Sequence, residues 1–406
     1  MVIFLFLSRR NKRTPFLSSF AANNPQNLRL IIRKICGLLF CIRLNPIFAT
    51  KFNSMTTNTE NRRQTPPIAL ISIVIVAVGV VLFVLNLMLG SVSIPFEEFK
   101  NAVFGSENST YRAIILDYRL PQAITALLAG IGLSVSGLLM QTLFRNPLAD
   151  PSLLGISSGA SLGVALVVLV AGSFGGIAVS TLALWSTFGV AMAAFVGAFL
   201  VLLLILALSS RLRSMVSLVL VGIMIAYIAG SVTDILKFFS QKEGLHSFVI
   251  WGMGSFSNVS KTQLPFFAIT VVVGAVGAFL LFKTLNLLLL GERYAENLGV
   301  NIRRSSMLII LVSGFLTAII TAFCGPIAFL GLAVPHIARF LFRSSDHKLL
   351  IPATAFIGMD LALFCNLIAR LPSFEGNLPI NSVTALIGAP IVLWVIFHRQ
   401  RFSQTH

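Results

Sequence analysis

The run from Ser152 to Ser210 contains no charged residue, and this feature restricts the possible folds more than any other. About 20 consecutive apolar residues are enough for a helix to cross the hydrocarbon core of a bilayer, so this run can make two crossings. Of the 406 residues, 56% are hydrophobic and 11% are charged, whereas soluble domains carry about 25% charged residues. The sequence therefore predicts an all-α, polytopic membrane protein.

Ten apolar segments follow one another from Pro67 onward, and we expect each to be a transmembrane helix. They cover residues 67–90, 122–144, 152–172, 177–208, 215–236, 264–283, 305–325, 326–342, 349–369 and 378–397. The eighth segment is short and contains His336 and Arg339, for which we expect only a helix-stabilising role. An even number of crossings places both termini on the same side of the membrane.

The first 54 residues differ from the rest, since they hold nine Lys or Arg and no acidic residue. Their apolar part precedes their charges, which is the reverse of a secretory signal. We expect residues 1–54 to be a basic N-terminal extension outside the transmembrane domain, which spans residues 55–406. The alternative is a basic anchor lying on the membrane surface.

The distribution of basic residues predicts the orientation, because cytoplasmic loops carry an excess of Lys and Arg. With a cytoplasmic N-terminus, fourteen Lys and Arg beyond residue 54 fall on the cytoplasmic side and seven on the outer side. Both termini are therefore expected in the cytoplasm. Membrane orientation also accounts for the formal charge of +17 better than nucleic-acid binding does, so no nucleic-acid partner is expected.

Two stretches of the chain resemble each other and suggest an internal repeat. "NPLADPSLLGISSGA" from Asn146 is similar to "GPIAFLGLAVPHIA" from Gly325 if a two-residue gap is allowed. The segments before them run in opposite directions in the ten-segment topology. This arrangement is typical of an inverted-topology repeat, as found in many transporters.

Neither the cysteines nor the histidines show metal-ligand spacing. The four cysteines form no CxxC pair, and we expect them to fill apolar packing sites. The five histidines are scattered along the chain. No metal site and no cofactor are predicted.

The stretch from Phe144 to Gly163 combines helix breakers with small residues. Its "NP" and "DP" pairs predict a tight turn at the end of the second segment. Small residues then open the third segment, and they permit close helix contact or leave room for a passage. The candidate pathway residues are Gly155, Ser157, Ser158, Gly159, Ser161 and Gly163. Plain helix packing remains the alternative.

Six blocks of sequence resemble the permease subunits of bacterial ABC importers for iron–siderophore complexes, haem and vitamin B12. They are "RLPQ" at Arg119, "GLSVSGLLMQTLFRNPLADPSLLGISSGASLG" at Gly132, "WGMGS" at Trp251, "GERYAENLGV" at Gly291, "GPIAFLGLAVPHIAR" at Gly325 and "LPINSVTALIGAP" at Leu378. The resemblance runs from about Pro67 to Arg401, and its blocks occur in the family's order and spacing. It implies an inner-membrane homodimer of ten-span subunits with two ATPase chains and a periplasmic binding protein.

The resemblance also implies roles for two groups of residues. The segment from Gly291 to Gly299, which glycines predict to be a short helix, would dock in a cleft of the ATPase. That role falls on Gly291, Glu292, Arg293, Ala295, Glu296, Leu298 and Gly299. Arg119 and Arg370 match the arginines that receive acidic groups of the binding protein. The family's second arginine in "RLPR" is Gln122 here, which reduces the expected contact to two sites per subunit.

The chain has no Walker A pattern and no nucleophile–base pair, so we expect it to be a translocation subunit and not an enzyme. Among the cargoes that the resemblance implies, ferric siderophore is favoured because it is the most frequent in the family, with haem or vitamin B12 as alternatives. A secondary transporter is a rival interpretation, and it would need an intramembrane ionisable group such as Asp360. A membrane-embedded hydrolase is a second rival. A packing role is the alternative for Asp360, and the resemblance implies no role for it.

Overall fold

The computed structural model describes residues 68–90, 94–95, 97–100, 110–171, 186–212, 214–370 and 377–403. The predicted extension at residues 1–54 therefore lies outside the described residues. Within them the chain is helical, as the sequence predicts. The helices are α1 (Ile68–Met88), α2 (Leu120–Leu143), α3 (Ile156–Ala171), α4 (Ser186–Ser209), α5 (Met215–Phe239), α6 (Lys242–Gly252), α7 (Leu264–Leu280), α8 (Phe282–Leu289), α9 (Glu292–Asn297), α10 (Ile302–Cys324), α11 (Leu330–Phe342), α12 (His347–Ala369) and α13 (Ile380–Ser403).

The described part of each of the ten predicted segments coincides with an apolar helix or a pair of helices. By length and composition, six helices of the described chain can cross a membrane. α7 and α8, which are bent by 47° at their junction, give a seventh if the pair is one span. The apolar parts of α3, α11 and α13 are shorter. A polytopic all-α fold is thus confirmed, while the count of ten crossings stays a prediction.

Helix α2 lies at the centre of the bundle, and α1 lies at its edge. In the most apolar part of the span that contains α2, 83% of the residues are buried, whereas the corresponding share for α1 is 11%. A short helix, Thr110–Ala113, and a π-helical turn, Ile114–Arg119, lead into α2. α2 packs against α7, α10, α11 and α12. α1 turns most of its apolar surface outward and packs on the bundle mainly through α12.

Helices α2 and α10 cross near their middles in antiparallel directions. The Ser136 hydroxyl lies 2.7 Å from the Ser313 hydroxyl and 2.9 Å from that of Thr317. One turn before Ser136 in α2, Gly132 faces Ile320, which lies about two turns after Ser313 in α10. This antiparallel crossing is the relation that the predicted inverted repeat requires of its two halves.

The packing partners of the two halves also correspond. α2 contacts α11 and α12, and α10 contacts α3 and α4. Within the halves, α3 packs on α4 and α5, while α11 packs on α12 and α13 contacts both. If α2, α3, α4 and α5 are matched with α10, α11, α12 and α13, every one of these contacts has a counterpart. The weak similarity between the stretches from Asn146 and from Gly325 therefore reflects an internal two-fold arrangement of the helices.

Glycines allow the helices to approach at backbone distance. A Cβ atom at Gly137 of α2 would collide with the carbonyl group of Gly331 of α11. One at Gly130 would collide with the carbonyl group of Gly358 of α12. Small residues at such crossings are typical of membrane helices, where packing replaces the hydrophobic effect as the driving force.

Candidate functional site

The segment from Gly291 to Gly299 forms a short helix between two bundle helices, as predicted. Gly291 has φ 118° and Gly299 has φ 88°, which are values that residues with a Cβ rarely adopt. The turn closes through hydrogen bonds from Gly299 N to Glu296 O and from Val300 N to Ala295 O. Both glycines are thus needed for their backbone conformation, since no atom within 4 Å would obstruct a Cβ at either one.

One residue of α9 faces the bundle, and the others face outward. Ala295 is fully buried. The side chains that remain exposed are Glu292, Arg293, Tyr294, Glu296, Asn297 and Leu298. A small buried residue with exposed charged and apolar neighbours lets α9 rest on the bundle and present a mixed surface to another molecule.

A hydrogen-bonded chain links the helix before α9 to the core of the bundle. Asn286 of α8 accepts from the backbone N of His347 and contacts its Nδ1 at 2.8 Å. The other ring nitrogen of His347, Nε2, lies 2.8 Å from Thr142 Oγ1 at the end of α2. Asn286 also donates to Asp346 at 2.7 Å, and this bond lowers the pKa of the Asp346 carboxyl. Sequence reasoning missed this chain, although polar residues within apolar segments could have indicated it.

A groove of about 860 Å³ runs beside α9. One wall is the connection between α4 and α5, including Arg211, and the other contains Glu292 and Glu296 of α9 and Arg303 of α10. The groove thus presents both signs of charge next to the predicted ATPase-docking residues. Its size and polarity suit a segment of another protein.

The two predicted docking arginines lie together at the opposite end of the bundle, which we call the Arg119 end. Arg119 is 2% exposed and Arg370 is 8% exposed. Arg119 Nη1 donates to Leu87 O and Met88 O, and Arg370 Nη1 donates to Asn86 O. Burial, together with the nearby charge of Arg119, lowers the pKa of Arg370 to about 10. In this conformation both guanidinium groups bind the end of α1.

Three buried amides lie directly beneath these arginines. Gln122 Nε2 donates to Asn366 Oδ1 at 3.1 Å, and Asn366 Nδ2 donates to Asn86 Oδ1 at 2.8 Å. Asn86 in turn donates to the carbonyl oxygens of Leu82 and Leu363. Gln122, which stands where the resembling family has an arginine, therefore belongs to a network that joins α1, α2 and α12.

The small-residue stretch begins where the sequence predicts a turn. Asp150 accepts a hydrogen bond from Ser152 N and starts a short 3₁₀ turn, Pro151–Leu154. Gly155 ends that turn with φ 77° and packs against the Gly222 carbonyl of α5.

The glycines and the serines of α3 have different surroundings. A Cβ at Gly159 would lie 2.6 Å from Gly197 O of α4, and one at Gly163 would collide with the Ala193 carbonyl. Ser157, Ser158 and Ser161 are half-buried. Gly159 and Gly163 therefore serve close packing of α3 on α4, while partial exposure is shared by the three serines and Gly163.

Three of the sequence blocks meet at the Arg119 end. Ser255 N of the "WGMGS" block donates to Cys324 O, next to Gly325. Asn381 N of "LPINS" donates to Met253 O, and Asn381 Oδ1 accepts from Ala328 N of "GPIAF". Blocks that are distant in the sequence are thus connected by hydrogen bonds at this end of the bundle. The ion pair between Lys261 and Asp117, at 2.8 Å, joins them to the π-helical turn that precedes α2.

Asp360 lies near the middle of α12 and is half-buried. Its Oδ1 is buried against Gly79 of α1 and has no hydrogen-bond partner among the described residues. Cys324 and Cys365 are buried within helix contacts, and no cluster of metal-ligating side chains occurs in the described part of the chain.

The fold and the α9 segment define a multi-span membrane permease. A profile described as the FecCD transport family matches residues 68–398. The chain is 35% identical over 333 residues to the hemin transport system permease protein HmuU of Yersinia pestis, covering 82% of this chain and 94% of the relative. It is 36% identical over 283 residues to the vitamin B12 import system permease protein BtuC of Klebsiella pneumoniae, covering 70% and 82%.

A solved structure supports the same conclusion. It is described as an inward-facing conformation of a metal-chelate type ABC transporter, and it matches with a TM-score of 0.70 and 29% identity over 81% of this chain and 99% of that chain. The chain belongs to the FecCD transport family. It is therefore a transport permease of the ABC importer type, and membership of this family implies that the ATPase is a separate chain.

Proposed function

We propose that this chain is the permease subunit of an ATP-driven importer that moves an iron chelate, most simply a ferric siderophore, from periplasm to cytoplasm. The importer would contain two copies of the chain in the inner membrane, two ATPase chains and a periplasmic binding protein. The proposal rests mainly on α9. This helix is flanked by two glycines with positive φ, and most of its side chains are exposed on the surface at one end of the bundle.

The path from α9 into the bundle supports a mechanical role. α9 follows α8, which is bent by 47° from α7 and joined to α2 and α12 through Asn286 and His347. A displacement of α9 by ATPase closure would therefore act on the central helix α2. Such a displacement shifts the permease between states only if ATP or the binding protein interacts differently with them.

The ATPase contact is tested by crosslinking. A cysteine at Leu298 should crosslink to the ATPase chain in the assembled importer, whereas one at Tyr118, which is also exposed but lies at the Arg119 end, should not. Both positions tolerate substitution because neither side chain is part of the core. Crosslinking at Tyr118 instead, or purification of an active importer without an ATPase, would refute the assignment.

The cargo is tested by growth. A strain lacking this chain should fail to grow on a ferric siderophore as iron source and recover when the chain is restored. If growth fails with haem or with vitamin B12 but not with the siderophore, that alternative is favoured; these are the cargoes in the names of HmuU and BtuC. Uptake that continues without the ATPase and stops when the ion gradient is dissipated would favour a secondary transporter.

Arg119 and Arg370 can dock the binding protein only if their side chains become available, because both guanidinium groups donate hydrogen bonds to α1. We propose that acidic groups of the binding protein compete with the α1 carbonyls for these guanidinium groups. Glutamate at both positions should weaken docking and leave ATPase association intact. The thermal stability of the variant must be measured alongside, since loss of α1 attachment would also weaken docking.

A further inference from the structure

A second cavity, of about 560 Å³, opens at the end of the bundle that carries α9. It lies between the ends of α2, α8 and α11. Its lining includes Gln141, Thr142, Arg145, His336, Arg339 and Phe340. No aspartate or glutamate is among the described residues that line it, so the cavity is basic.

The two arginines are held in place by contacts with the surrounding helices. Arg145 has φ 47°, an unusual conformation for a residue with a side chain. Its Nη2 donates to Leu288 O of α8 at 3.3 Å. Arg339 Nη1 donates to Oε1 of buried Gln141 at 2.6 Å, and Gln141 Nε2 donates to Leu332 O. The positive charges are thus fixed at the cavity wall, which reduces the entropy lost when an anion binds.

The other lining residues include a polar side chain, His336, and two apolar side chains, Phe340 and Leu289. His336 Nε2 lies 2.8 Å from Pro147 O and fixes the loop after α2. At the rim, Phe340 and Leu289 are 60% and 47% exposed. A basic interior beside exposed apolar side chains, at the ends of membrane helices, matches a ligand with a phosphate and an acyl chain.

We propose that this cavity binds the headgroup phosphate of an anionic phospholipid of the surrounding leaflet. Basic pockets between transmembrane helices recognise such headgroups, and Arg is suited to them because its planar guanidinium donates two parallel hydrogen bonds to phosphate oxygens. The bound phosphate would join Arg145, which contacts α8, to Arg339 of α11. Lipid binding would therefore brace the helix that leads into α9.

The groove beside α9 provides an internal contrast. It also contains two arginines, Arg211 and Arg303, but Glu292 and Glu296 line it as well. The acidic side chains disfavour a phosphate there. A pair of substitutions in each cavity removes the same charge from the same end of the molecule.

The proposal is tested by native mass spectrometry of the full-length chain in neutral detergent, titrated with phosphatidylglycerol or phosphatidylcholine. We expect tighter binding of phosphatidylglycerol. The Arg145→Gln/Arg339→Gln variant should lose about 25-fold in affinity, from about five-fold for each arginine. The Arg211→Gln/Arg303→Gln variant should change by less than about two-fold. Equal losses in the two variants, or equal binding of the two lipids, would overturn the proposal.

Two further measurements separate a lipid site from other occupants. Inorganic phosphate or glycerol phosphate at millimolar concentration should not displace the lipid, and complete displacement would identify a site for a free anion. A photoactivatable phosphatidylglycerol should label the peptide containing Phe340 in the wild-type chain. Labelling elsewhere overturns the proposal even if the double variant fails to fold. Loss of ATPase association with unchanged lipid binding in the double variant would identify the cavity as a protein contact.

Discussion

Arg119 Nη1 lies 2.7 Å from the carbonyl oxygen of Met88, the last residue of α1. The last four carbonyl groups of a helix have no partner within that helix, and Arg119 and Arg370 supply partners for three consecutive residues at this end. α1 exposes most of its surface, and these bonds fix one of its ends to the bundle.

Replacing Arg119 with Gln should lower the free energy of unfolding by about 1–3 kcal/mol, because buried carbonyl groups at the end of α1 lose their donor. The measurement is thermal or denaturant unfolding of the purified chain in detergent. Lys261→Gln is the matched control at the same end, since it removes an exposed ion pair worth about 0–1 kcal/mol. Equal effects of the two substitutions would contradict a structural role for Arg119.

Replacing Asn366 with Leu should also destabilise the chain by about 1–3 kcal/mol, because Gln122 and Asn86 would each lose a buried hydrogen bond. The same unfolding measurement applies. Gln241→Leu is a suitable control, since Gln241 is exposed and makes no capping bond with its side chain. An unchanged stability of Asn366→Leu would show that the amide network contributes little to the free energy of unfolding.

Replacing Gly291 with Ala should cost about 1–3 kcal/mol in local backbone strain, since φ 118° is unfavourable for alanine. We expect the strain to displace α9 and to reduce permease-stimulated ATP hydrolysis several-fold, while the bundle stays folded. Gly230→Ala in α5 is the control, because that glycine has open space and no positive φ. Unchanged ATPase stimulation in Gly291→Ala would argue against α9 as the coupling element.

The α3 stretch offers a test that separates packing from passage. Gly163→Val should destabilise the chain by about 1–3 kcal/mol or more, because the side chain would enter the backbone of α4. Ser158→Leu should leave the half-buried position folded and reduce uptake several-fold if the serines line the pathway. Normal uptake by folded Ser158→Leu would remove that residue from the pathway set.

Deletion of residues 1–54 should leave uptake unchanged if the basic extension lies outside the transport core. Uptake and membrane content are both measured, so that a change in abundance is distinguished from a change in activity. Lost uptake at normal membrane content would show that the extension takes part in transport.

The sequence by itself determined the helical segments, their order and the position of α9. These are local properties, because bilayer thickness sets the length of an apolar segment and a left-handed φ requires glycine. It also correctly indicated an internal repeat, since α2 and α10 cross antiparallel with corresponding neighbours.

Only the tertiary structure decided what the side chains contact. Arg119 is expected on an exposed rim from its position before a span, yet it is buried on the carbonyls of α1. From the sequence alone, Gly163 could line a passage or allow close helix packing. The structure shows that it packs against the backbone of α4. The physical reason is that such contacts depend on the register between helices distant in sequence, and lipid-compatible apolar segments carry no local signal for that register.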